Sequence, residues 1–145
     1  MNDPRWASID AFAEQNRENI LRDITRLVAV PSVEGKAAPG APFGPGPKAA
    51  LEKALEIANE LGLSTYNADS YIGWAETGAI ADGQKFLATI THTDVVPEGN
   101  GWDSNPFDLV ERDGYVIGRG TADDKGPAVL TLYAAKFFKE QGEEL

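Results

Sequence analysis

The single histidine of this chain narrows its possible folds more than any other feature. His92 follows the apolar run Phe86-Leu87-Ala88-Thr89-Ile90 and stands two residues before Asp94. Residues i and i+2 of an extended segment share a face, so the Asp94 carboxylate can reach the imidazole. A carboxylate that accepts one ring N–H fixes the tautomer and makes the other nitrogen a better metal ligand. The apolar run before the pair and Val95-Val96-Pro97 behind it place both residues at the carboxyl end of a strand, where α/β sheets hold ligands.

A second carboxylate pair lies in Gly118-Arg119-Gly120-Thr121-Ala122-Asp123-Asp124-Lys125-Gly126, between strand-like and helix-like stretches. This segment is not a phosphate cradle. It lacks a third glycine or a Walker lysine in place, and it carries two aspartates where an anion would sit. The glycines instead allow a tight turn that aims Asp123 into a site. Spacing alone fits a second reading equally well for Asp123, and fits it better for Asp124: acids favouring the amino terminus of the following helix.

Around these motifs the chain reads as helices and short strands. Ser8 is the expected N-cap of a first helix, with Ile9, Phe12, Ala13, Ile20, Leu21, Ile24, Leu27 and Val28 at helical spacing up to Pro31. A Pro-Gly-rich loop runs from Pro31 to Pro47. Pro47 then sits in the first turn of a second helix, whose stripe of Ala50, Leu51, Ala54, Leu55, Ala58 and Leu61 is closed by Gly62. Strands are expected over Ser64–Asn67, Tyr71–Glu76 and Lys85–Thr91. Asp113-Gly114 should join Leu109–Arg112 to Tyr115–Gly118 as a hairpin. Pro127 opens a last helix, and Ala128 to Phe138 is apolar nearly all round, which predicts burial against a sheet. Trp102 and Phe107 in the intervening connection read as core anchors, or as the lining of a pocket.

The 145 residues fit one domain, 1–145, of α/β class with a mixed sheet flanked by helices. Thirteen basic against twenty-three acidic residues give a charge of −10, which disfavours nucleic acid or an anionic membrane as partner. The absence of cysteine removes thiolate chemistry and disulfides and suits a reducing cytoplasm. The amino terminus lacks a signal-peptide pattern, and no apolar run reaches the ~20 residues of a membrane span.

Taken together, His92-Thr93-Asp94 and Gly118 to Gly126 resemble the dinuclear zinc peptidase and amidohydrolase family that includes acetylornithine deacetylase, succinyl-diaminopimelate desuccinylase and carnosinase. Ala41-Pro42-Phe43-Gly44-Pro45-Gly46-Pro47 and Gly101-Trp102-Asp103-Ser104-Asn105-Pro106-Phe107 are similar to the peptidase V type of dipeptidase within it. The resemblance implies a zinc-exopeptidase-like fold, seen here as the amino-terminal part of a catalytic domain without its lid domain. It implies that His92 binds zinc, that Asp94 orients His92, and that Asp123 bridges two metals next to a cis Asp123-Asp124 peptide. Two Zn2+ ions per complete site are implied, with Mn2+ or Co2+ as alternatives. The substrate would be a small peptide.

The family's glutamate pair, general base and ligand, is not matched by Glu143-Glu144, which follow Gly142 too closely for a strand to intervene. The chain alone is therefore expected to be inactive, its site completed by the remainder of a catalytic domain. The alternative is a non-enzymatic module with a weak metal half-site or a partner surface, prone to self-association through an exposed apolar face.

Overall fold

The computed structural model describes residues 4–79 and 82–142. Three helices dominate: α1 (Pro4–Val28), α2 (Pro45–Glu60) and α3 (Lys125–Gln141). Two hairpins lie between α2 and α3: β1 (Ser64–Ala68) with β2 (Ile72–Glu76), and β3 (Val110–Arg112) with β4 (Tyr115–Ile117). Both are antiparallel and belong to separate two-stranded sheets.

The apolar spacing read in the sequence produces the core. Leu27 and Val28 of α1, Ala50 and Ile57 of α2, and Ala128, Val129 and Tyr133 of α3 meet in one buried cluster. Helix α1 begins at Pro4, so Ser8 lies inside it rather than capping it, and its hydroxyl donates to the Arg5 carbonyl. Helix α2 starts two residues earlier than expected, with Pro45 and Pro47 both in its first turn, where a missing N–H costs nothing. Helix α3 opens at Lys125, two residues ahead of Pro127. It packs chiefly on α1 rather than on a sheet, and only one face is covered, leaving Leu130 51% exposed.

Charge reinforces the helix packing. Arg26 of α1 pairs with Asp23 on its own helix and with Glu56 and Glu60 of α2. Asp23 is 1% exposed and also accepts hydrogen bonds from Arg22 and from the Tyr133 hydroxyl of α3. Burial pushes its carboxyl up, but the Arg22, Tyr133 and Arg26 donors outweigh that and hold it below the usual carboxylate range. The first hairpin is fixed by stacking of Tyr66 on Trp74 at 4.3 Å. In the second, Asp113 and Gly114 both have positive φ, the geometry that matches the twist of a two-residue hairpin.

The expected strand over 85–91 does not form. Strand structure needs a hydrogen-bonded neighbour, and none pairs with this segment among the described residues. It has no regular secondary structure and leaves Phe86, Leu87 and Ile90 exposed, Ile90 to 95%. A run this apolar has the composition of a strand covered on both faces. The α/β class therefore holds as a partial fold. The sheet expected to be mixed is represented by two antiparallel hairpins. No helix among the described residues is long and apolar enough to cross a membrane.

Candidate metal centre

His92 follows the unpaired 85–91 segment, and Asp123 precedes α3. The fold brings them together: Nε2 of His92 lies 3.0 Å from Oδ1 of Asp123. On the other side of the ring, Nδ1 lies 3.1 Å from the Asp94 backbone carbonyl and 3.5 Å from its carboxylate. The three residues singled out from sequence thus form one cluster, although the Asp94 main chain approaches the ring more closely than its side chain does.

The Asp124 side chain serves this cluster, while its backbone carbonyl accepts the Ala128 N–H at 2.8 Å to start the helix. Asp124 occupies the N-cap position of α3 without a side-chain cap bond, and its Oδ2 accepts the backbone N–H of His92 at 3.1 Å. The Asp123-Asp124 peptide is cis.

The hydrogen-bond chemistry of the ring calls for a proton or a metal ion at Nε2. A carbonyl can only accept, so Nδ1 carries a hydrogen, and in neutral imidazole Nε2 is then a bare lone pair. A lone pair facing a carboxylate oxygen at 3.0 Å repels it unless a proton or a metal ion lies between them. Burial pulls the His92 pKa down, but the Asp94 carbonyl and the Asp123 carboxylate outweigh it, so the ring titrates above its ordinary value. Two donors on one tetrahedral zinc, at ~2.0–2.2 Å from the ion, lie roughly 3.3 Å apart. The pair therefore fits two adjacent corners of a coordination shell. No group of three or more His, Cys, Asp or Glu able to hold a metal occurs among the described residues, and a catalytic zinc keeps three protein ligands. Glu143-Glu144 lie outside the described residues.

Two residues not assigned a role from sequence support the centre. Lys125 is fully buried and its Nζ donates to the Val30 carbonyl at 2.6 Å. Burial pushes its ammonium down to about 8, against the opposing pull of Asp94. A lysine at the first position of a helix opposes the macrodipole, and that misplacement was the available signal of a special role. Ser32, also fully buried, donates through Oγ to the Thr93 carbonyl at 2.7 Å and accepts the Val95 N–H at 3.1 Å. Ser32 is 61 residues from Thr93, and nothing in local spacing announces that contact. Gly126 must be glycine on packing grounds, since a Cβ there would run into the Thr121 carbonyl. Trp102 and Phe107 are half-buried rather than core. Trp102 donates to the Glu98 carbonyl and lies under the Arg119 guanidinium at 5.5 Å.

Residues 88–145, which include both halves of this cluster, match peptidase family M20/M25/M40. The chain is also 42% identical over 129 residues to the proteins named "Putative dipeptidase" of Staphylococcus aureus strains USA300 and COL. That match covers 88% of this chain and 27% of each relative, so the chain spans about a quarter of their length. The crystal structure of human carnosine dipeptidase 1 superposes with a TM-score of 0.73 at 22% identity, over 93% of this chain and 31% of that one, a likeness of fold. Residues 88–145 belong to peptidase family M20/M25/M40, and the chain is similar to proteins named as dipeptidases.

Proposed function

We propose that this chain supplies the first ligand half of a metal-dependent dipeptidase, a hydrolase acting on the peptide bond of small peptides. The observation that supports this reading is the face-to-face approach of His92 Nε2 and Asp123 Oδ1 at 3.0 Å, a spacing that a shared metal ion would fit in place of a shared proton. The dipeptidase names of the S. aureus relatives supply the substrate class.

In this reading His92 and Asp123 are ligands, and Asp94 holds the Nδ1–H so that Nε2 stays free to bind. Asp123 is the carboxylate able to bridge two ions, its side chain being 87% exposed and open to a second partner. Asp124 fixes the His92 main chain. Zinc is the favoured metal, two ions per complete site, with manganese or cobalt able to occupy the same donors. Bound there, the metal would acidify a water and polarise the scissile carbonyl. The general base and the remaining ligands are contributed by residues outside this set, so the 145-residue chain by itself is inactive. A cytoplasmic location accords with the absence of cysteine, and the charge of −10 disfavours nucleic acid and anionic membranes as partners.

The exposed run Phe86, Leu87 and Ile90 favours a second reading, a non-enzymatic module that presents an apolar surface to a partner or to its own copy. An assay of dipeptide hydrolysis with added Zn2+ tests the first reading. The 145-residue protein should show no turnover above buffer, while a longer polypeptide that completes the site should show turnover abolished by His92→Ala. Turnover by the short chain, lost in His92→Ala, would overturn the placement of the base. A completed polypeptide indifferent to His92→Ala would favour the module.

A further inference from the structure

We propose that Ser32 is a positioning residue of the metal centre, acting through the Val30–Ser32 turn that ties both ligand segments to one piece of backbone. This inference rests on the metal-site reading proposed above.

The two ligands come from segments with little else in common. His92 follows a stretch that has no strand partner over 85–91 among the described residues, so no sheet fixes it there. Ser32 supplies that fixation at two points: its hydroxyl donates to the Thr93 carbonyl and its own carbonyl accepts the Val95 N–H. These bonds set the peptide planes on both sides of Asp94, whose carbonyl in turn orients the imidazole.

Two residues before Ser32, the Val30 carbonyl accepts the buried Lys125 ammonium, and Lys125 directly follows Asp123-Asp124. One short turn thus holds His92 from one side and Asp123 from the other, and so governs their 3.0 Å separation. The turn is itself braced from behind. A Cβ placed on Gly46 in α2 would lie 2.6 Å from the Pro31 carbonyl oxygen and 3.2 Å from the Ser32 Cα. Gly46 therefore lets α2 press directly on the turn.

The test compares Ser32→Ala and Gly46→Ala with a control, Ile57→Ala, a truncation of the buried cluster eleven residues along α2 from Gly46. Zn2+ affinity is measured by competition with a chromophoric chelator, and amide hydrogen exchange is measured on the metal-free 145-residue chain. Groups that orient metal ligands typically contribute about 10-fold or more to affinity. Ser32→Ala should weaken Zn2+ binding by about that factor and speed exchange at both 92–95 and 123–126. Gly46→Ala should act in the same direction, and Ile57→Ala should lower stability while leaving affinity within about 3-fold, well short of that loss. Unchanged affinity in Ser32→Ala, or an equal loss in Ile57→Ala, would overturn the positioning role. If the wild-type chain takes up no Zn2+, the metal reading fails, and exchange alone decides on the clamp: acceleration in both segments supports it, acceleration in one or neither refutes it.

Discussion

Replacing Tyr133 with phenylalanine removes one oxygen from the junction of α1 and α3 and leaves the ring that fills the core. The missing hydroxyl lies 2.7 Å from Asp23 Oδ2, and both residues are buried. A hydrogen bond to a charged group contributes about 1.5–3 kcal/mol, against about 0.5–1.5 kcal/mol for a neutral pair. At pH 7, where Asp23 is ionised, the substitution should therefore cost about 2 kcal/mol. At the chain's size that lowers Tm by roughly 4–8 °C.

The cost should depend on pH in one direction. Asp23 titrates below the usual carboxylate range in the folded chain, and the Tyr133 hydroxyl is one of the three donors that keep it there. A carboxylate held low stabilises the fold above its unfolded pKa of about 4 and loses that contribution as pH falls through the folded value. Once Asp23 is protonated, the Tyr133 bond becomes a neutral one and the cost of losing it should fall to about 1 kcal/mol. Urea unfolding followed by far-ultraviolet circular dichroism at pH 7, and at falling pH until Asp23 is protonated in the folded chain, measures both values. A cost below about 0.5 kcal/mol at pH 7, or one that does not shrink at low pH, would refute the charged-pair reasoning.

Three further outcomes follow from the same geometry. Leu27→Ala, at a fully buried core position, should cost about 2–5 kcal/mol in urea unfolding with an unchanged denaturant slope. Lys125 is depressed to about 8 from 10.5, so the folded chain binds fewer protons than the unfolded chain between those values; stability should rise from pH 8 to pH 9.5 in the wild type and stay flat in Lys125→Met. Gly126→Ala should disturb the His92–Asp123 approach because its methyl meets the Thr121 carbonyl, and altered His92 side-chain NMR shifts in a chain that still folds would report it.

What could be read in the sequence followed from local periodicity and motif spacing. The three helices are set by apolar residues three and four apart, and the Asp113-Gly114 hairpin by turn chemistry, so both were legible. His92, Asp94 and Asp123 were legible as residues because their motif was, and the structure brings them into one cluster. The strand over 85–91 was misread for a physical reason. Its composition states how a segment is to be buried, whereas strand formation depends on a neighbour that local sequence does not contain. Helix α3 was likewise expected against a sheet because its apolar surface is broad, yet the neighbour it meets is α1. Ser32 and the Val30 carbonyl were invisible because their contacts span 61 and 95 residues and leave no local signature. Asp124 was assigned to the helix end, where acids are common, and its contact with the His92 main chain emerges only from the fold.

In the function proposed above, His92 and Asp123 face each other to share a metal ion. Isothermal titration of the 145-residue protein with Zn2+, beside His92→Ala and Asp123→Ala, tests it most directly. Binding by the wild type that each substitution weakens by about 10-fold or more is the predicted result. Absence of binding, or binding as strong in His92→Ala as in the wild type, would contradict it.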